Sequence, residues 1–290
     1  MVVQLLEQIG AGIGLGSVYA LVALGFVLIY KATEVVNFAT GALMMLGPFL
    51  FYSLVVFFHF PIWLGIAVSI VCMAMLGAGI DRFILRRLLG EPMLSIVLAT
   101  LAVGIIIDCV AGIIWGFEPV AAPELIPNQA VRLVGITLSS AHTLTIVVLT
   151  LLIIMLFIFF RHTKIGIAMQ ATAQNQFSAY MMGINVGGVF SLSWAISAVI
   201  CCIAGIVLIP ISSLHVHMTH IGLMAFPAAI LGGLSSIPGA VVGGLIIGLT
   251  ENLASYYFPL IKDSLPFIVL ILVLMIKPEG IFGIHERKKV

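Results

Sequence analysis

Charge is what this 290-residue chain has least of. Asp, Glu, Lys and Arg make up 8% of it against 62% hydrophobic residues, a balance that excludes a soluble domain of this size. A net charge of +1 gives no reason to expect a nucleic-acid partner. The dipeptide Gly-Lys is absent, so the chain lacks the phosphate-binding loop of glycine-supported amides followed by lysine. If ATP drives this protein, another polypeptide hydrolyses it. Neither GxSxG nor HExxH occurs, which leaves hydrolysis without a serine elbow or a zinc pair. No catalysis is expected of the chain, and no cofactor of its own. Cysteines are few, and Cys72, Cys109, Cys201 and Cys202 all fall in apolar stretches. They read as small hydrophobes, with no disulfide and no metal site.

What is abundant is apolar sequence in long runs. A helix needs about 20 residues to cross the hydrocarbon, and short polar breaks divide the chain into spans at 9–30, 36–58, 61–81, 93–116, 142–160, 188–212, 222–235, 239–258 and 264–277. The expected fold is an all-α polytopic membrane protein of about 8–10 transmembrane helices, some broken or short, forming one membrane domain over residues 1–290. The first run has no basic leader and is too long for a signal core, so it is expected to be a retained span. Alternating the sides puts Lys31, Arg82, Arg86, Arg87, Arg161, Lys164, Lys277, Arg287, Lys288 and Lys289 on one face, with Arg132 and Lys262 on the other. That excess of positive charge marks the cytoplasmic face. The N-terminus is expected outside and the C-terminus inside.

One polar stretch stands apart, Arg161 to Gly187, RHTKIGIAMQATAQNQFSAYMMGINVG. Gln170, Thr172, Gln174, Asn175, Gln176 and Ser178 are too many polar groups for a span, so it lies at or outside the membrane surface. Ala168, Ala171, Ala179 and Met182 recur at helical spacing, which predicts a short helix over 166–183 with a small apolar side. Such a helix either docks in a partner's groove or merely connects two spans.

Two stretches are irregular for membrane helices, Asn37–Pro48 (NFATGALMMLGP) and Gly232–Gly248 (GGLSSIPGAVVGGLIIG). Glycine and proline at this depth predict broken or closely packed helices, lining a cavity or buried in protein. Gly10, Gly14, Gly239, Gly243, Gly244 and Gly248 fall in small-xxx-small spacings that allow close helix contact. Asp108 and Glu251 are the acids deepest in apolar sequence. Each is a substrate contact, a proton-relay group or half of an ion pair, and Glu251 alternatively lies near the outer interface. A cavity for a zwitterion needs a few polar groups inside an apolar wall; Asn37, Thr40, Asp108, Gly232, Gly233 and Glu251 are the candidates for that path. His215, His217 and His220 have no carboxylate or cysteine beside them and read as an outer loop. The outer stretch Phe117–Ala141, with Glu118, Glu124, Pro127 and Arg132, is long enough only for a docking rim.

Taken together, GLGSVYALVALGFVLIYKATEVVNFATGAL (Gly14–Leu43), RHTKIGIAMQATAQNQFSAYMMGIN (Arg161–Asn185), AAILGGLSSIPGAVVGGLIIGLTEN and KPEGIFG resemble the shorter permease of branched-chain amino acid ABC importers. The resemblance runs almost end to end. It implies a multi-pass subunit of the bacterial inner membrane that moves hydrophobic amino acids by alternating access. Its implied partners are a second, related permease, two cytoplasmic ATPases carrying ATP and Mg, and a periplasmic substrate-binding protein. It makes 161–187 the segment that couples to the ATPase, through Gly166, Ala168, Met169, Ala171, Gln174, Asn175, Ala179 and Gly183. A permease for urea or short amides is the alternative within the same family type. An ion-coupled secondary transporter using Asp108 or Glu251 is the alternative outside it.

Overall fold

The computed structural model of the chain describes residues 2–88, 91–123, 125, 130–133 and 136–283. Glu124 and Pro127 of the expected rim, and Arg287, Lys288 and Lys289 of the basic tail, lie outside the described residues, and Arg132 is described in its backbone alone.

The first helix, α1 (Val2–Thr33), has no polar stripe, and a helix apolar all round belongs in an interior. No residue in Val18–Leu24 or Phe26–Ile29 is more than 2% exposed. The rest of the chain wraps around this axis: α2 (Thr40–Tyr52) with a π-turn at Ser53–Phe57, α3 (Ile62–Phe83), α4 (Met93–Trp115), α5 (Ser140–His162), α6 (Lys164–Gln174), α7 (Gln176–Met181), α8 (Val186–Leu208), α9 (Met218–Gly232), α10 (Ile237–Tyr257) and α11 (Leu265–Ile276). Seven of these, α1, α2 with its π-turn, α3, α4, α5, α8 and α10, are long and apolar enough to cross a membrane. Two apolar helices are shorter, α9 and α11; fifteen residues of α9 reach about 22 Å, short of a hydrocarbon core of about 30 Å. An antiparallel hairpin, β1 (Ala130–Leu133) with β2 (Ile136–Ser139), precedes α5. With an isolated antiparallel bridge between Val120 and Leu214, it makes up the β structure among the described residues.

Small residues set how the helices meet. The α1–α10 pair runs antiparallel, with Gly12 against Leu249 and Asn252, Gly16 against Leu245 and Gly248, and Ala20 against Gly244. A Cβ on Gly248 would land on the backbone of Gly16. Other faces of α1 use Gly14, beside His142 of α5, and Gly25, beside Ser197 and Cys201 of α8. Side-chain hydroxyls add bonds at the same places: Thr145 Oγ1 donates to Gly14 O at 3.0 Å and Ser197 Oγ to Gly25 O at 2.9 Å.

The break expected of Asn37–Pro48 falls at the start of that stretch and not at its proline. Residues 34–39 form the non-helical re-entry, and α2 then runs unbroken through Pro48. Proline removes the N–H that would bond the Met44 carbonyl, and Gly205 of α8 packs against that oxygen, so the helix loses one bond without kinking apart. A second irregularity appears later, as the π-turn, where Ser53 Oγ donates to Phe49 O at 3.0 Å and accepts from Trp115 Nε1 at 2.6 Å. In the second irregular stretch the break is confined to residues 233–236. Gly233 turns at φ +99° and Ser236 Oγ caps α10 by accepting from Gly239 N at 3.1 Å. The turn is covered by the segment after α11, where the N–H groups of Ile281 and Phe282 donate to Leu231 O and Gly232 O, at 2.8 and 3.1 Å.

Because Gly248 meets backbone, a larger side chain cannot be relieved by a rotamer change. Gly248→Leu is expected to lower the melting temperature in detergent by several degrees, as overpacking costing about 1–3 kcal/mol does. Gly79→Leu, whose Cβ would meet only the edge of Phe83 at 4.0 Å, is the control that leaves it unchanged. Equal melting of both variants and wild type would show that the α1–α10 contact does not hold the bundle.

Candidate functional site

Residues 161–187 leave the bundle as two helices, not the single one expected over 166–183. Thr163 starts α6, accepting at Oγ1 from Gly166 N at 2.9 Å while donating to Phe159 O at 2.6 Å. Gly166 lies directly on the Phe159–Phe160 backbone, which folds α6 back against α5. Asn175 is extended and caps α7, its Oδ1 accepting from Ser178 N at 2.8 Å. The short amide that reads as a helix-face residue in sequence therefore divides the helix, because asparagine satisfies a first-turn N–H better than it fills a helix interior. Gly183, at φ +83°, ends α7 with Ile184 N donating back to Ala179 O at 3.0 Å, the usual glycine stop.

Burial within the segment divides the expected coupling residues. Gly166, Met169 and Ala179 are buried on the chain's own bundle, Met169 beside Leu28, Ala32 and Phe160. Ala168 and Ala171 are half-buried, while Gln174, Asn175 and Gly183 are exposed. The alanines of the small apolar side thus face inward, while Met182, expected on the same side, does not. What faces outward is large: Phe177, Tyr180, Met181 and Met182, 68–84% exposed. Sequence reading placed Met182 on the small apolar side and passed over the other three, although 177, 180 and 181 already have the i, i+3, i+4 spacing of one helix face. Basic residues gather at the same end. Lys31 borders Met169 and Gln170, Arg161 and Lys164 flank the α5–α6 turn, and Arg86 bonds the start of α8.

The candidate pathway residues form three separate groups. Asn37 and Thr40 are fully buried and share a turn: Asn37 Oδ1 accepts from Ala39 N at 2.9 Å and its carbonyl from Thr40 Oγ1 at 2.7 Å. The turn is tied to α4 by Phe38 N donating to Thr100 Oγ1 at 3.2 Å. Asn37 Nδ2 is buried without a partner. Asp108 stands eight residues beyond Thr100, about 12 Å along α4, half-buried, its Oδ1 accepting from Thr219 Oγ1 at 2.7 Å. Thr219 connects it to the first group, since its carbonyl packs on Gly41 at the start of α2. Aromatic rings close the other flank, Phe26 and Phe38 both packing on Phe226 at 5.6 and 5.2 Å.

Glu251 is elsewhere, on the α1–α10 side. Tyr19 reaches between it and Met224, whose Sδ is 3.8 Å from the hydroxyl, and Glu251 Oε2 is buried without a partner. Its neighbour Asn252 donates to Gln8 O at 2.7 Å. Gly232 and Gly233 form the third group, packed on the backbones of Gly239 and Gly283; their role in the structure is to let backbones touch. A cavity of about 490 Å³ opens at the opposite end of the bundle from α6–α7, lined by Pro119–Pro123, Ser140, Ala141, Leu144 and Ile209–Leu214. None of the candidate residues lines it.

Residues 8–274 match the model of a protein family described as branched-chain amino acid transport system / permease component. The high-affinity branched-chain amino acid transport system permease protein LivH of Escherichia coli is 32% identical over 98% of this chain and 97% of its own length. BraD of Pseudomonas aeruginosa, a permease protein of the same description, is 29% identical over 98% of each. Among solved structures, PsaBC from Streptococcus pneumoniae in complex with Fab aligns at a TM-score of 0.49 and 14% identity, covering 93% of this chain and 89% of that one. By the extent of the family match and the near-complete overlap with LivH, the chain belongs to the family of permease components of branched-chain amino acid transport systems.

Proposed function

We propose that this chain is one membrane subunit of an ATP-driven importer that brings branched-chain and related hydrophobic amino acids inward, with α6–α7 docking on a cytoplasmic ATPase. The observation that carries the reading is the exposed group Phe177, Tyr180, Met181 and Met182. It stands on a helix outside the spans, at an end of the bundle rich in Lys and Arg. Large apolar side chains held out on a short helix have the form of anchors for a partner's groove. The positive-inside rule makes that end cytoplasmic, with the N-terminus outside and the C-terminus inside. The full assembly contains a second, related permease, two ATPases that carry ATP and Mg, and an external binding protein. Closure and separation of the ATPases would shift the permease pair between outward-open and inward-open packings.

The substrate's charges find counterparts around the start of α2. Asp108 offers an acceptor to an ammonium group, and the unpartnered Asn37 Nδ2 offers a donor to a carboxylate. The aromatic and aliphatic wall beside them suits a branched side chain and discriminates weakly, since a methylene is worth about 1–3 kcal/mol.

Phe177→Ala and Tyr180→Ala are expected to keep wild-type melting yet reduce co-purification of the ATPase and uptake by about tenfold or more, as loss of an aromatic anchor worth about 2 kcal/mol does. A large residue at Ala179, which is buried, should instead lower the melting temperature. Undiminished association in the Phe177 and Tyr180 variants would remove the docking assignment.

In proteoliposomes holding the assembly, uptake should require ATP at the nucleotide-binding face and survive collapse of the proton gradient. Asp108→Asn should raise KM by about tenfold, the weakening expected on losing a charged hydrogen bond of about 1.5 kcal/mol. Uptake driven by the gradient with this chain alone would defeat the importer reading; normal KM in the variant would show Asp108 to be structural.

A further inference from the structure

A polar joint fastens α3 to the start of α8 directly beyond α7. Asp81, in the last turn of α3, is 3% exposed, and a carboxylate so buried persists only when paired. Its Oδ2 lies 3.3 Å from Arg86 Nη2 and accepts from Ser191 Oγ at 2.5 Å. The same Arg86 Nη2 donates to Ser191 Oγ at 2.8 Å and to the Gly187 carbonyl. Gly187 makes room for the guanidinium, which a Cβ there would meet at 3.3 Å. One turn deeper, Gly77 of α3 lies on the backbone of Trp194 and on Ala198 of α8. The two helices are thus joined by backbone contact within the bundle and by an ion pair at its end.

The position of this joint gives it a task. Only residues 182–185 separate α7 from α8, and α8 begins Val186-Gly187-Gly188, with two of the weakest helix formers in its first turn. Left to itself, such a turn would bend or fray when α7 moved. We propose that Asp81, Arg86, Ser191 and the Gly187 carbonyl form a transmission joint: they hold the first turn of α8 to α3, so that displacement of α6–α7 by a partner moves the α3–α8 pair as one body. Arg86 is the positioning residue, acting through the start of α8 and touching neither substrate nor partner in this role. The inference rests on the reading of α6–α7 as the docking element.

The test uses the complete assembly in proteoliposomes, reading melting temperature, ATP hydrolysis and amino acid uptake. Arg86→Met should lower the melting temperature, because it strands the Asp81 charge. The pair Asp81→Leu with Arg86→Met removes both charges and should restore melting toward wild type, yet leave uptake per ATP hydrolysed reduced by at least about fivefold, the lower end of ordinary coupling energies. Arg86→Lys should recover part of that ratio. Ser191→Ala, which leaves the ion pair in place, should lower the ratio with a smaller fall in melting temperature than Arg86→Met, and so serves if the double variant does not recover its fold. A wild-type ratio in the refolded double variant and in Ser191→Ala would overturn the proposal and make the joint purely structural. A wild-type assembly without ATP-dependent uptake would instead overturn the docking reading beneath it.

Discussion

In a bilayer, helices gain little by leaving lipid for one another, so close van der Waals contact has to hold them together. This molecule meets that constraint by placing glycines around a single helix. Gly12 and Gly16 admit α10, Gly14 admits α5 and Gly25 admits α8, and the result is an axis with side chains packed on all sides. The outer helices use the device on one side only, as at Gly77 of α3 against α8. Residues such as Trp63, Ile113 and Met275 point away from the bundle, and their apolar surfaces suit hydrocarbon.

Around that rigid axis the polar groups are distributed unequally. Thr145 and Ser197 spend their hydroxyls on backbone carbonyls of α1 and so belong to the scaffold. Asn37 sits in the non-helical turn before α2, Thr40 and Asp108 on α2 and α4, and Thr219 on the short helix α9. Irregular backbone at membrane depth is tolerated only inside protein or along a cavity. The polar atoms that could meet a zwitterion are therefore held where the regular bundle gives way.

At the basic end the same division recurs in another form. α6 is tethered by Gly166 and Met169, both buried, while α7 turns its large side chains outward. The break at Asn175 makes this possible, since a continuous helix would carry both faces in fixed rotation. Past α7 the chain is caught at once by Arg86, and movement at the surface has a short path into α3 and α8.

The sequence by itself determined that the chain lives in a membrane, roughly where its spans lie, and which segment leaves the bilayer. Hydrophobic run length and the cost of burying amides decide those matters locally. It also marked the glycines of α10 as contact residues, because their spacing repeats once per turn. Which face of 166–183 points outward was decided only in three dimensions. Periodicity identifies two sides of a helix without saying which one a neighbour covers, and here Ala179 is covered by the bundle while Phe177, Tyr180, Met181 and Met182 are left outside. The separation of Glu251 from Asp108 was equally hidden, since both are lone acids in apolar runs and only the packing of α9 and α10 sends one toward Thr219 and the other toward Tyr19. The joint of Asp81 with Arg86 and Ser191 spans 110 residues of sequence, and no local pattern encodes a bond between chain segments so distant; the close contact of α3 with α8 at Gly77 creates it.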